Sequence, residues 1–149
     1  MSLRKQLLEQ TKAAMRAKDK ARLVVLRGFS AAIKQREIDE RITLDESNVL
    51  AVLDKLIKQR KDSQRQFRDA GRIDLADKEA YEIEVLSAFL PKQLDETEIL
   101  AIIDLVIAEV AETGQSGMSA MGKVMARVKP QVQGKADMRA VSQLVKSRL

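Results

Sequence analysis

Apolar residues recur along this chain at intervals of three and four positions, and few residues interrupt that spacing. The 149 residues include only two prolines and six glycines, and just 3% are aromatic. A core must therefore be built from aliphatic side chains presented on helical periodicity. That composition favours packing of helix on helix over a sandwich of sheets. The sequence predicts an all-α protein.

The periodicity predicts four helices in the first part of the chain. Two of them cover about residues 3–15 and 23–38. Thr43 and Glu46 have the spacing of a capping box, which predicts the start of the third helix, and Gly71 is placed to end it. A fourth helix is predicted over 75–90 because Pro91 cannot continue it.

The segment Pro91-Lys92-Gln93 is the predicted boundary between two domains. Residues 1–92 form a four-helix N-terminal part, and residues 93–149 form a C-terminal three-helix bundle. Asp95 with Glu98 is an N-cap pattern that opens the first of these three helices. The second is short and is predicted to end at Pro130, and Asp137 caps the last.

Cysteine and histidine are both absent. Disulfide frameworks, thiolate or imidazole metal sites and triads that use histidine are thereby excluded. Catalysis would have to rest on carboxylates, lysines, hydroxyls or Tyr81. We predict no catalytic residue, no metal site and no cofactor.

Three charged residues fall on apolar stripes of two helices. Arg60 lies within the apolar arc of helix three, and Glu79 and Glu82 share the apolar side of helix four. An unpaired buried charge is costly, so we predict an ion pair between Arg60 and these carboxylates. A carboxylate dyad for acid–base chemistry or a metal site is the weaker interpretation, because a third ligand is missing.

A row of basic residues follows the third helix at intervals of three and four. At ~100° per residue its members stay within roughly 80° of arc. Such a stripe can follow a phosphate backbone, or it can be a solvated face paired with Asp62 and Asp69. The row comprises Lys58, Lys61, Arg65, Arg68 and Arg72.

Charge is separated by sign in the C-terminal part. Residues 93–113 hold six acidic and no basic residues, whereas 114–149 hold seven basic residues and Asp137 as the one acid. This separation indicates either an anion-binding surface on the last two helices or two complementary faces within one bundle. The candidate phosphate contacts are Lys123, Arg127, Lys135 and Arg139.

Lys135 precedes the Asp137 cap, where backbone amides favour anions. The Gly122-Lys123 and Gly134-Lys135 pairs lack the spacing of a Walker A loop and the strand before it. Nucleotide hydrolysis is therefore not expected.

Several short segments follow one another in a characteristic order. In the first part they are Lys58-Gln-Arg-Lys-Asp-Ser63, Ala70-Gly-Arg72 with Leu75-Ala76, and Glu79 with Glu82 ahead of Phe89-Leu-Pro91. In the second part they are Met121-Gly-Lys-Val-Met125 and Gly134-Lys-Ala-Asp137. Together these segments resemble the two signatures of the GatB/YqeY family, over residues 3–149. One departure is Ser119-Ala120, where the family has an acidic residue before Met-Gly-Lys, which predicts a weak N-cap for that helix.

The resemblance implies kinship with the tail of the B subunit of the tRNA-dependent amidotransferase, which contacts tRNA. The kinase and glutaminase centres of that enzyme lie elsewhere, so the resemblance implies no autonomous carbon–nitrogen ligase activity with glutamine as amido donor. We expect a non-catalytic accessory protein that binds tRNA through its basic helical faces. The alternatives are a protein-interaction module docking on an amidotransferase, a synthetase or the ribosome, or a contributor to amide transfer within a complex.

The expected address is the cytoplasm of a bacterium. No apolar run approaches the roughly 20 residues that span a bilayer, and the first helix lacks the apolar centre of a signal peptide. No membrane partner is expected, and the sequence does not determine the oligomeric state.

Overall fold

A computed structural model describes residues 2–149 of the protein. Over these residues it contains seven α-helices, one short 3-10 helix and no strand. The predicted all-α fold, with four helices followed by three, is confirmed. The chain folds into two compact units, Met1–Leu90 and Pro91–Leu149.

The first unit contains α1 (Leu3–Arg16), α2 (Lys20–Glu40), α3 (Glu46–Asp69) and α4 (Ile73–Ser87). Its core is aliphatic apart from Phe29 and Phe89, whose rings meet edge to face with centroids 5.7 Å apart. Fully buried side chains from α2 and α3 fill the centre, namely Leu26, Phe29, Val49 and Leu53.

The N-terminus of α3 differs from the predicted capping box. Asp45, not Thr43, is the N-cap, and its carboxylate accepts a hydrogen bond from the Asn48 amide at 2.8 Å. The Glu46 carboxylate instead accepts from the backbone N–H of Leu3 at 2.9 Å, so it caps α1. A carboxylate near a helix N-terminus satisfies an orphan donor and opposes the positive end of the dipole. Only the tertiary fold brings these two helix starts together.

The C-terminus of α3 follows the prediction. Gly71 has a φ of +74°, the left-handed conformation that a side chain disfavours. Its N–H donates to the Arg68 carbonyl at 3.0 Å, and the Arg72 N–H donates to the Phe67 carbonyl at 2.8 Å. This pair of hydrogen bonds is the Schellman motif.

The second unit contains α5 (Glu96–Ala111), a 3-10 helix (Gly117–Ala120), α6 (Met121–Val132) and α7 (Met138–Arg148). Asp95 caps α5 as predicted, accepting from the Glu98 amide at 2.8 Å. The centre of the bundle is largely valine, one stripe from each helix, and the fully buried members are Val106, Val110, Val124, Val128, Val132, Val141 and Val145.

Pro130 does not end α6, which continues to Val132. Proline removes one N–H from the helical ladder and crowds the carbonyl four residues earlier. Here the loss falls in the last turn, and Val132 is fully buried in the core. Burial of that side chain favours the two additional helical residues.

Candidate nucleic-acid interface

The basic row of the first unit is shorter than the sequence predicted. Lys61, Arg65 and Arg68 are exposed on α3. Arg72 is exposed but lies outside that helix, because α3 ends at Asp69 and Arg72 is the N-cap residue of α4. The helical periodicity that predicted a five-residue stripe does not extend through the turn at Gly71.

Carboxylates neutralise part of this row. Arg65 Nη2 lies 2.9 Å from Asp62 Oδ1, and Lys58 Nζ lies 3.2 Å from Asp54 Oδ2. The hydrogen bond from Arg72 holds the pKa of the Asp74 carboxyl below its ordinary value.

Lys61 and Arg68 differ from their neighbours in this respect. Across residues 2–149, neither cation has a carboxylate within 4 Å. The basic row therefore combines paired cations with two that have no carboxylate within 4 Å.

Arg60 contacts both carboxylates on α4. Its Nη1 atom lies 3.4 Å from Glu79 Oε2 and 3.3 Å from Glu82 Oε2. The carboxylate side chains are 12% and 19% exposed, whereas the Arg60 side chain is 35% exposed. We expected a largely buried guanidinium, and the structure shows a half-buried one at the edge of the α3–α4 packing.

In the second unit, α5 carries most of the acidic residues, and two of them reach bases on the other helices. Arg127 Nη1 on α6 lies 3.7 Å from Glu109 Oε2, and Arg148 Nε on α7 lies 3.7 Å from Asp104 Oδ1. For these two bases the interpretation as complementary faces within one bundle applies. Two of the seven bases face acidic partners within the bundle.

The other five bases of the second unit have no carboxylate within 4 Å among the residues that the structure describes. Four of them are exposed and one is half-buried. They come from α6, from α7 and from the loop between these helices, and they are Lys123, Lys129, Lys135, Arg139 and Lys146.

Lys135 is the half-buried member of this set, and its backbone is held in place. Its carbonyl accepts from the Leu94 amide at 2.9 Å, and Gln93 Nε2 donates to the neighbouring Gly134 carbonyl at 2.7 Å. The start of α7 also differs from the predicted anion site, because a backbone N–H group there is already bonded within the chain. The Asp137 carboxylate itself accepts from the Arg139 amide at 3.1 Å, so this backbone donor already has an acceptor.

The start of α6 agrees with the predicted weak cap. Ala120 is the N-cap residue, and no side chain accepts a hydrogen bond from the first turn. The 3-10 turn leads directly into α6, and the Ser119 hydroxyl donates to the Ser116 carbonyl at 2.8 Å instead of capping the helix.

Two exposed bases were absent from the predicted contact set. Lys129 lies in the last turn of α6, and Lys146 follows Arg139 by seven residues on α7. Two turns of helix separate residues that far apart, so they share one face. This spacing was the available signal for Lys146. No sequence signal indicated Lys129, because the absence of an α5 carboxylate near it depends on how the helices pack.

No helix of residues 2–149 has the length and apolar character needed to span a membrane. The same residues contain no cluster of three or more acidic side chains arranged to hold a metal ion.

A family model described as Yqey-like protein matches residues 4–149 of this chain. Among the curated relatives, a protein of Lachancea thermotolerans named "Altered inheritance of mitochondria protein 41, mitochondrial" is 36% identical over 113 residues, which cover 74% of this chain and 60% of that protein. The protein of the same name from Kluyveromyces lactis is 44% identical over 84 residues, covering 56% of this chain and 45% of that protein. The chain thus spans about half the length of these relatives.

A Schizosaccharomyces pombe protein, "Uncharacterized protein C22F3.15", is 40% identical over 90 residues, covering 60% of this chain and 70% of that protein. These relatives are fungal and do not support the expectation of bacterial origin. The expected cytoplasmic location is contradicted by the relatives whose names describe them as mitochondrial. The expectation rested on missing membrane and secretory segments, and such absences do not distinguish one aqueous compartment from another.

Proposed function

The chain belongs to the YqeY-like family, and on that basis we propose that it binds structured RNA of the tRNA class through the basic side of its C-terminal unit, without catalysis of its own. The supporting observation is the set of five bases in this unit that have no carboxylate partner. Cations held on a rigid helical surface attract phosphate groups and displace their counterions. The helices of the second unit provide such a surface.

The contacts proposed for this surface are Lys123, Arg127, Arg139 and the half-buried Lys135. Arg127 is 46% exposed and its ion pair is long, so a phosphate can compete for its guanidinium. Lys129 and Lys146 extend the same set. On the first unit, Lys61, Arg65, Arg68 and Arg72 form a second surface, in which Lys61 and Arg68 have no acidic partner.

Structured RNA is favoured over single strands. Recognition of single strands relies on bases stacked on aromatic side chains. The chain has three phenylalanines, one tyrosine and no tryptophan. Phe29 and Phe89 are buried in the first unit. A backbone contact that depends on shape and charge needs no aromatic platform.

Titration of labelled tRNA at several salt concentrations tests the proposal. The test variant combines Lys123→Glu with Arg139→Glu, because both side chains are exposed and unpaired. The logarithm of the affinity should fall linearly with the logarithm of salt concentration. The double variant should reduce that slope by about two, near one for each lost phosphate contact.

The matched control combines Lys5→Glu with Lys12→Glu. These exposed lysines lie on α1, outside both proposed surfaces, and the net charge changes by the same amount. The control should keep the wild-type slope, and circular dichroism should show all variants folded. Absence of tRNA binding at low salt, or equal slopes for the two double variants, would refute the RNA proposal.

A second candidate function is docking on another protein, such as an amidotransferase, a synthetase or the ribosome, including a contribution to amide transfer inside such a complex. Exposed apolar side chains favour it, among them Leu8, Met15 and Met118, each more than half exposed. Loss of tRNA binding at every salt concentration would leave this candidate as the proposal to test.

A further inference from the structure

The outer face of α2 carries a continuous row of exposed residues. Lys20, Arg27 and Lys34 are spaced by seven, and Val24, Ala31 and Ile38 are spaced by seven between them; all six are exposed. At ~100° per residue the six stay within roughly 80° of arc. This basic–apolar row lies opposite the buried face of the helix, which contains Val25, Leu26, Phe29 and Ile33.

Within the described part of the chain, the cations of this row form no close ion pair, although the charge of Lys34 contributes to lowering the pKa of Glu37 one turn along α2. Across residues 2–149, no carboxylate lies within 4 Å of Lys20, Arg27 or Lys34. The acidic residues near the end of α2 are engaged elsewhere. Glu37 accepts from Arg4, and Glu40 pairs with Arg36 at 2.7 Å.

The apolar members of the row are unusually open. Val24 is 66% exposed and Ile38 is 69% exposed. Isolated exposed aliphatic residues are ordinary, but side chains aligned at heptad spacing along one helix face match the pattern by which helices pair. A phosphate backbone would engage the cations and leave these side chains in water.

The outer face of α5, continued by the residue that caps its C-terminus, Glu112, has the complementary pattern. Glu98, Leu105 and Glu112 are spaced by seven, and Ala101 and Ala108 lie beside them; all five are exposed. Leu105 is 62% exposed, and α5 contains no basic residue. Across the described residues, neither Glu98 nor Glu112 has a cation within 4 Å.

The two rows match in register. Glu98 and Glu112 are fourteen residues apart, as are Lys20 and Lys34, and both separations correspond to ~21 Å along a helix. When the two glutamates of the α5 row lie opposite the two lysines of the α2 row, Leu105 is at the midpoint of its row. It then meets the part of α2 where Val24 and Ala31 flank Arg27. Charge and apolar character are therefore complementary at the same spacing.

We propose that the protein self-associates by pairing the α2 row of one copy with the α5 row of a second copy. Opposite charges at flanking heptad positions set partner and register, and the central aliphatic contacts exclude water. Each copy carries both rows, so each can offer both sides of the contact. This proposal is independent of the RNA-binding proposal, because it uses neither the bases of α6 and α7 nor those of α3.

Sedimentation equilibrium of the full chain, from micromolar to several hundred micromolar, tests it. Lys20→Glu with Lys34→Glu reverses the charge of the α2 row, so that both rows of this variant are acidic. Glu98→Lys with Glu112→Lys reverses the charge of the α5 row, so that both rows of that variant are basic. Each variant alone should weaken self-association at least tenfold. An equimolar mixture should associate about as well as wild type, since every contact between the two variants again joins opposite charges.

The matched control is Lys5→Glu with Lys12→Glu, two exposed cations on α1 that are also spaced by seven and that have no carboxylate within 4 Å among the residues that the structure describes. It should associate like wild type. Leu105→Ser, which changes no charge, should also weaken association, so the result does not depend on the folding of one variant. Circular dichroism should show equal helix content throughout.

Three results would overturn the proposal. One is a monomer at every concentration. Another is association that neither charge reversal changes. The third is an equimolar mixture of the two charge-reversal variants that stays dissociated, as each variant does alone. If the α2 variant instead lost tRNA affinity without any change in association, the row would be an RNA contact.

Discussion

Replacing Arg60 by alanine removes the shared partner of two carboxylates. Glu79 and Glu82 are 12% and 19% exposed, so they would remain side by side with little water to screen them. Breaking a fully buried ion pair costs about 3–5 kcal/mol, and an exposed pair contributes about 0–1 kcal/mol. Arg60 is 35% exposed, and its contacts of 3.3–3.4 Å are longer than those of a strong charge-assisted pair.

The expected loss therefore lies between these limits, at about 2 kcal/mol. Urea unfolding followed by circular dichroism measures it. With an m-value of about 2 kcal/mol/M, the midpoint should fall by about 1 M. The larger cost expected for a fully buried guanidinium is reduced because Arg60 keeps contact with solvent.

Arg65→Ala is the matched control. Its ion pair with Asp62 is shorter, at 2.9 Å, but the two side chains are 70% and 67% exposed. The loss should stay below about 0.5 kcal/mol, because water screens exposed pairs. Burial, and not distance, would then explain the difference between the two arginines.

A combined background separates charge from packing. Glu79→Gln with Glu82→Gln removes both negative charges at nearly constant volume. In that background Arg60→Ala should cost much less than in wild type, since no carboxylate is stranded. Equal losses for Arg60→Ala and Arg65→Ala, or an unchanged loss in the glutamine background, would refute this account of the cluster.

Three further predictions concern stability and domain structure. Hydrogen bonds from the Leu44 amide and from Arg4 lower the pKa of Glu37 below its ordinary value of 4.5. The stabilisation that the ionised carboxylate provides is present above that value and is lost as pH falls through the lower pKa of the folded state. The difference in Tm between wild type and Glu37→Gln should therefore narrow on acidification below about pH 4.5, and a constant difference would contradict this. Gly28→Ala should raise the free energy of unfolding by about 0.5–1 kcal/mol, because a Cβ at this helical position meets open space. Gly71→Ala should lower the free energy of unfolding, because the φ of Gly71 is +74°. The same effect from both substitutions in urea unfolding would count against this reasoning. Limited trypsin digestion should cut first in the 91–95 segment, since the predicted domains meet there, and early cleavage elsewhere with 91–95 intact would argue against that boundary.

Local signals predicted the parts of the fold that depend on neighbouring residues. The aliphatic periodicity predicted helices, the Asp95–Glu98 spacing predicted the cap of α5, and Gly71 predicted the end of α3. Each of these rests on interactions within a few residues along the chain, so the sequence contains all the information that they require. Family membership followed from the order of the short segments.

Features that depend on distant residues were determined only by the tertiary structure. Glu46 was assigned to its own helix, yet it caps α1, forty-three residues earlier. Pro130 was expected to end α6, but the burial of Val132 favours helix beyond it. A local rule is overridden when a side chain or backbone group gains a long-range contact of greater free energy.

The candidate site shows the same division. Basic residues collect after Gly114 and acidic residues precede it, and the order of residues alone establishes this. Only the packing of α6 and α7 against α5 decided that Arg127 and Arg148 have acidic partners while Lys123 and Arg139 do not. Charge composition is a property of the chain, but the pairing of one charge with another depends on which side chains the fold brings within 4 Å.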